Sequence, residues 1–263
     1  MMELNLSADF VSIMLLYFMA SLRFLGLLSA LVFLTGASLP IPVRLWLSLV
    51  LALASSAVIR GTEVETALFL NLPGFAVTAA RELAVGLVLG ILASSPLYVL
   101  QIAGRFVSQQ MGFAMANLMD PLSQQQVSVI GQLKYLVGTW FWFYIGGHLL
   151  MTAAVTESLR MLPVGTPVFG LLTAEGIRMW ISELFMLALK VVLPYFGALF
   201  LAEVGLGFIA RTVPQLNVFM LGFPIKILLA LFLLALLTVA IVRGMLPDAV
   251  SDFLEMFQFL FAG

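Results

Sequence analysis

Long apolar stretches separated by short polar breaks predict a chain made of helices. Six runs are mainly apolar: Phe10–Leu34, Val43–Ile59, Leu83–Ala103, Val127–Leu159, Trp180–Ile209 and Val218–Val242. About 20 apolar residues, rising 1.5 Å each, cross the hydrocarbon core of a bilayer. The second run is short for a crossing, and the fourth is long enough for a helix of about 50 Å or for a span with an extension. Because backbone exposed to lipid must satisfy its own hydrogen bonds, all six runs should be helical.

The connecting stretches contain turn-forming residues. They are "GASLPIP" at 36–42, "RGTEVETALFLNLPG" at 60–74, "LPVGTPVFG" at 162–170 and "ARTVPQLN" at 210–217. Proline and glycine in such clusters end helices. No fixed-period repeat divides the sequence, so residues 1–263 are expected to form a single membrane domain. Arginines lie near the ends of the runs on both sides of the membrane, so the positive-inside rule does not give the orientation of the chain in the membrane.

Composition narrows the class of protein. The 263 residues are 63% hydrophobic and 10% charged, with a mean hydropathy of +1.16, whereas soluble domains are about 45–50% apolar and about 25% charged. These values indicate an integral membrane protein. The runs lack two-residue alternation, which disfavours a membrane β-barrel. The expected fold is all-α and polytopic.

Composition and motifs also bear on chemistry. A net charge of −1 offers no basic surface for nucleic acid, and without cysteine the chain has no disulfide, thiolate metal site or Cys nucleophile. A single histidine makes a transition-metal site improbable, and no HExxH, Gly-x-Ser-x-Gly or phosphate-binding loop occurs. We therefore expect no metal, no cofactor and no enzymatic activity.

Several charged residues interrupt the apolar runs. Each costs about 2.5–3.5 kcal/mol at the centre of a bilayer on insertion scales. Snorkelling to the interface would suit Lys134 and Lys226, which lie near run starts. The charges could instead line a substrate or ion path, or lie in helices that are covered by a large assembly. Local pairs are available, since Glu157 and Arg160 are three residues apart and Glu183 and Lys190 are two helical turns apart. The charges concerned are Arg23, Lys134, Glu183, Lys190, Glu203 and Lys226.

The polar break "MGFAMANLMDPLSQQQ" (111–126) separates two apolar runs. Met111, Met115 and Met119 are four residues apart and would form one stripe on a helix, and methionine adapts to varied surfaces. Gly112 loosens a helix, and Asp120-Pro121 favours a turn or a new helix start. The neutral residues Gln109, Gln110, Asn117 and Gln124–Gln126 could be wetted without adding charge. The alternative is that the methionines are ordinary core and the glutamines a solvated loop.

Three longer stretches resemble one family. They are "ARELAVGLVLGILASSPLYVLQIAGRFVSQQMGFAMANLMDP", "GGHLLMTAAVTESLRMLPVG" and "LAEVGLGFIARTVPQLNVFMLGFPIKILLAL". From about Phe10 to Phe257, in order, the chain resembles the FliR family of flagellar type III export-gate subunits, to which a virulence-system subunit (SctT) is similar. The segment "VPQLNVFMLGFPIK" is the most specific, and its "GFPIK" ending resembles flagellar members more than virulence ones.

The resemblance implies an assembly. Its members have a FliP-like part joined to a FliQ-like part, with broken and re-entrant helical hairpins, and one copy associates with several FliP and FliQ subunits and with FlhB. Unfolded flagellar proteins cross the bacterial inner membrane through this gate, in the flagellar basal body. The alternatives are a stand-alone secondary transporter or channel, and the equivalent subunit of a virulence system.

Two sets of residues have expected roles, the first implied by the resemblance and the second interpreted from the residues themselves. The first set would plug the channel: Gln109, Gln110, Met111, Gly112, Phe113, Met115, Asn117, Met119, Asp120 and Pro121. The second set would break a helix and pack against neighbouring subunits: Pro214, Asn217, Phe219, Gly222, Pro224 and Lys226. Because prolines interrupt helical hydrogen bonding, Pro214 and Pro224 are expected to form an elbow.

Overall fold

The structure is a computed structural model that describes residues 2–35, 39–59, 71–112, 128–165, 174–213, 215 and 218–261. All regular structure within these ranges is helical, which confirms the all-α prediction. The helices are α1 (Met2–Thr35), α2 (Ile41–Ala54), α3 (Ser56–Ile59), α4 (Leu72–Gln110), α5 (Val129–Tyr144), α6 (Gly147–Met161), α7 (Ala174–Thr212) and α8 (Val218–Phe261).

Four of the described helices are long and apolar enough to cross a membrane. Their apolar portions are Phe10–Leu31, Leu72–Gln110, Ala174–Thr212 and Met220–Gly244. Helix α2 has 14 residues and is too short, as the length of its run predicted. The molecule is therefore a polytopic helical membrane protein.

The fourth apolar run contains a break. Helix α5 ends at Tyr144, and α6 begins at Gly147 after Gly146, which has φ +79°. A residue with a Cβ rarely adopts this left-handed conformation, so glycine suits the turn. Of the two interpretations that the sequence left open for this run, the single helix of about 50 Å is therefore wrong, and the "GG" pair at 146–147 marks where the run divides.

The chain divides into two compact units. The first comprises 1–95, 146–180 and 250–263, and the second comprises 96–145 and 181–249. Helices α4, α7 and α8 each contribute residues to both units. The single membrane domain expected from the sequence stays a prediction.

In the first unit, α1 and α4 approach at backbone distance. A Cβ placed on Gly86 would overlap the carbonyl of Arg23, and one on Gly26 would overlap the carbonyl of Leu83. Glycine removes the side chain that would otherwise separate two helices, so their neighbouring side chains pack closely. Phe24 of α1 and Leu89 of α4 are fully buried in this unit.

In the second unit, residues from α4, α5, α7 and α8 form one apolar cluster. Its buried members are Val107, Met111, Ile130, Tyr195, Leu199, Ala230 and Leu234. Helices α4 and α5 also approach at Gly104 and Gly131, where a Cβ on Gly104 would overlap Gly131 Cα. These contacts join the end of α4 to the start of α5.

Candidate functional site

A buried ion pair organises the first unit. Arg23 of α1 and Glu82 of α4 are joined by Arg23 Nε and Glu82 Oε2 at 2.7 Å, with side chains only 1% and 4% exposed. The guanidinium also donates to Ser158 Oγ of α6 at 3.0 Å and to the Leu162 carbonyl at 3.1 Å. Glu82 Oε1 accepts a hydrogen bond from Gly165 N at 3.4 Å. The planar fork of arginine therefore links two helices to the turn that follows α6.

This arrangement locates Arg23 inside the protein, away from lipid. The sequence singled out Arg23 but missed Glu82, which immediately precedes the apolar run predicted from Leu83. An acidic residue beside an apolar run was the available signal, since a buried arginine requires an anion. Local spacing along a helix cannot pair two residues that lie 59 positions apart.

Helix α4 ends where the predicted plug segment begins. Gln109 and Gln110 are in its last turn, and Met111 and Gly112 form the turn that follows. Gly112 has φ +93°, and a Cβ there would overlap the ring of Phe223 of α8. Met111 is fully buried in the apolar cluster of the second unit. Met111 thus packs as core, in agreement with the alternative interpretation for that residue.

The other end of the segment is fixed by a helix cap. Ser128 precedes α5, and its hydroxyl accepts a hydrogen bond from Gly131 N at 3.0 Å. Serine at this position satisfies an amide that the helix start leaves unpaired. The remaining predicted plug residues lie outside the described residues: Phe113, Met115, Asn117, Met119, Asp120 and Pro121. A channel-plugging role for the segment stays a prediction.

Lys134 of α5 is buried in the second unit. It is 1% exposed, and its Nζ lies 3.6 Å from the centre of the Tyr195 ring of α7. The Tyr195 hydroxyl is 3.2 Å from Thr238 Oγ1 of α8. Lys134 is therefore buried within the protein, and snorkelling, one of the three explanations that the sequence left open, does not apply to it.

The environment of Lys134 is energetically unfavourable. Its Nζ has no hydrogen-bond acceptor among the described residues. A buried charge costs several kcal/mol even after relaxation, whereas a desolvated cation–π contact contributes about 2 kcal/mol. Neutralisation lowers that cost but leaves amine hydrogens without an acceptor. The Tyr195 ring thus offsets only part of the cost of burying this side chain.

The remaining charges fall into two groups. Lys226 Nζ of α8 and Glu203 Oε1 of α7 form an ion pair at 3.0 Å, so Lys226 has a partner within the chain. Glu183 and Lys190 are exposed on α7, and their two side chains form no ion pair with each other. Glu157 and Arg160 pair at 3.3 Å on α6, as their spacing predicted.

The proposed helix-break residues surround the junction of α7 and α8. Helix α7 ends at Thr212 and α8 starts at Val218, so the break lies between these residues. Helix α8 continues through Gly222, Pro224 and Lys226, contrary to the interruption expected at Pro224. Pro224 is the seventh residue of α8, beyond the first turn, so it removes one helical hydrogen bond; a single missing amide bends or weakens a helix without having to end it. Pro214 and Asn217 lie outside the described residues, and Phe219 is in the first turn of α8.

The part of the chain that the structure describes contains no group of three or more His, Asp or Glu side chains arranged to hold a metal. Its polar contacts between helices include the ion pairs of Arg23 and Lys226 and the cation–π contact of Lys134. This arrangement holds helices together in an apolar protein.

Comparison with known proteins gives the family. The model of the bacterial export proteins, family 1, matches residues 14–249. This chain belongs to that family. The matched residues include parts of all eight described helices. They also include the buried Arg23–Glu82 pair and the buried Lys134.

Individual relatives come from flagellar and virulence systems. The chain is 27% identical to the flagellar biosynthetic protein FliR of Escherichia coli over 97% of its own length and 94% of the relative. It is 33% identical to FliR of Bacillus subtilis over 70% of this chain and 72% of the relative. It is 33% identical to the Yop proteins translocation protein T of Yersinia pestis over 59% of this chain and 60% of the relative.

Proposed function

We propose that this chain is a subunit of the flagellar type III protein export gate in the bacterial inner membrane. The observation that carries the proposal is the end-to-end similarity to a flagellar biosynthetic protein, over 97% of this chain and 94% of that relative. The similarity to the virulence translocation protein covers 59% of this chain. The flagellar role therefore fits better than the virulence role.

The proposed role is structural. The subunit forms part of the channel through which unfolded flagellar proteins cross the membrane, and it performs no enzymatic reaction. The described polar clusters support this role because they link helices to one another. They contain ion pairs that join α1 to α4 and α7 to α8.

The partners follow from the family resemblance and from exposed apolar surface. One copy of this chain would assemble with FliP and FliQ subunits and associate with FlhB. In the most apolar 18-residue stretches of α7 and α8, only 22% and 17% of residues are buried within the chain. Neighbouring subunits would cover part of this surface and would shield Glu183 and Lys190 from lipid, because lipid-exposed charges are costly.

Co-purification of the tagged chain tests this function. We expect gentle solubilisation to recover one copy of the chain with several small membrane subunits, because α7 and α8 bury little of their surface within the chain. The stoichiometry can be measured by native mass spectrometry. Recovery as a monomer or a homo-oligomer would instead support a stand-alone transporter or channel.

The plug is the second part of the proposal. Residues from Gln109 to Pro121 would close the channel lumen, with methionine side chains sealing the path. The support from the described residues is that Met111 and Gly112 anchor the segment's first end against Phe223 and the apolar cluster, and Ser128 caps the helix at its other end.

A further inference from the structure

Lys134 is a buried donor group that lacks an acceptor within the part of the chain that the structure describes. The structure describes two such groups on α5, Lys134 Nζ and Trp142 Nε1. The indole nitrogen has one hydrogen to satisfy, whereas the lysine nitrogen has two or three, according to its protonation state. The cost of leaving it buried is therefore greater for Lys134.

The surroundings of Lys134 supply one favourable contact. Ile130 lies one helical turn before it on α5 and belongs to the apolar cluster, together with Val107 of α4, Met111 of the turn after α4, and Ala230 and Leu234 of α8. None of these side chains carries a charge. The titratable group in contact with Lys134 is Tyr195 of α7, through its ring face.

An apolar residue of similar length would avoid this cost. Methionine fills comparable space without donor hydrogens and tolerates irregular packing. The lysine therefore makes this conformation of the second unit less stable than methionine would. A side chain that weakens one conformation favours any other conformation in which its amine finds water or an acceptor.

We infer that Lys134 is a positioning residue for gate opening: its amine leaves the Tyr195 ring when the helices of the second unit separate, and it then binds water or an acceptor oxygen. This inference depends on the proposed function, because it requires a gate with closed and open conformations. Lys134 would thus shift the equilibrium toward the open conformation without contacting the exported protein.

Lys134→Met tests the inference through two measurements: the thermal stability of the complex, which should rise, and the export of a substrate, which should fall. We expect the intact complex to form and its thermal unfolding midpoint to rise by about 2 °C or more, because the unpaired donor is removed. Export of a flagellar substrate into the medium should fall about tenfold, because the closed conformation is favoured. A residue that serves packing alone would not raise stability while lowering export.

Two matched variants complete the test. Lys134→Arg keeps a cation able to contact an aromatic face, and it should restore export at least partly. Tyr195→Phe keeps the ring face and removes only the hydroxyl near Thr238, so export should stay within about twofold of wild type. Loss of export in Tyr195→Phe together with normal export in Lys134→Met would overturn the inference.

The outcomes of Lys134→Met separate this inference from the proposed function. Normal export, or a complex that is less stable than wild type, would overturn the role of Lys134. The proposed function is tested separately in a strain that lacks the whole gene. Flagellar export that stays intact in that strain would overturn the proposed function.

Discussion

At the scale of single residues, buried charges define the structure of this protein. The sequence predicted that Arg23 lies within an apolar helix, but it did not predict its partner Glu82 or the three further groups that bond to the pair. Glu82, Ser158, the Leu162 carbonyl and the Gly165 amide come from separate parts of the chain. Their convergence depends on how α1, α4 and α6 pack, which local sequence patterns do not encode.

Loss of either charge of this pair should destabilise the protein strongly. Arg23→Met leaves a buried carboxylate without its cation, and Glu82→Met leaves a buried guanidinium without its anion. Each change should cost about 3–5 kcal/mol of unfolding free energy. The double variant should cost far less than the sum, because no unpaired charge remains. A double-mutant cycle on the purified complex, followed by thermal unfolding, measures the difference.

The exposed pair on α6 gives a matched control. Arg160→Met also removes an arginine from a carboxylate partner, but the Arg160 side chain is 62% exposed. Because solvent screens this pair, the variant should change the unfolding free energy by less than about 1 kcal/mol. Additive effects in the cycle, or equal losses at the buried and exposed arginines, would refute the assignment of the Arg23 pair as the unit's central contact.

At the scale of helices, hydrophobic runs predicted the elements well and their ends poorly. All six runs contain helix, yet α4 starts eleven residues before its predicted run (72 against 83). The run at 127–159 divides at Gly146, and α8 passes through Pro224. Hydropathy detects membrane-length segments, whereas helix ends depend on caps, left-handed glycines and proline position within the helix.

The approach of α1 to α4 gives a prediction at this scale. Gly86→Ala would place a Cβ against the Arg23 carbonyl, which belongs to helical backbone and cannot move aside alone. The helices must then separate, at a cost of about 1–3 kcal/mol in the unfolding free energy. Thermal unfolding of the isolated chain measures this cost.

The matched control for Gly86 is a glycine on α7. A Cβ on Gly205 meets no atom within 4 Å in the chain, and alanine favours helix over glycine by up to about 1 kcal/mol. Gly205→Ala should therefore leave the unfolding midpoint of the isolated chain unchanged or raised. Equal destabilisation by the two alanines would contradict close packing at Gly86.

At the scale of the whole molecule, composition predicted a membrane protein, and three sequence stretches resembled its family. Family membership is shown by the match over residues 14–249. Patterns in the sequence could not reveal the buried Lys134–Tyr195 contact or the division into two units. Both depend on contacts between residues distant in the chain.

Deletion of residues from Gln110 to Asn117 tests the plug within the assembled gate. If this segment seals the channel, the deletion should let ions or small molecules leak while the complex still assembles. Uptake of a small dye by cells, compared with wild type, measures the leak. Replacing Met115 and Met119 by serine keeps the segment length and isolates the contribution of methionine, which should be a smaller leak. A deletion that assembles and leaks no more than wild type would contradict the plug.

The Arg23–Glu82 contact also constrains how this gene can diverge. Substitution of one partner alone leaves an unpaired buried charge in the first unit. Selection should remove most such variants. The two positions should therefore covary among homologues, kept as arginine with an acid or exchanged together for apolar residues. Descendants that retain only one of the two charges should be rare.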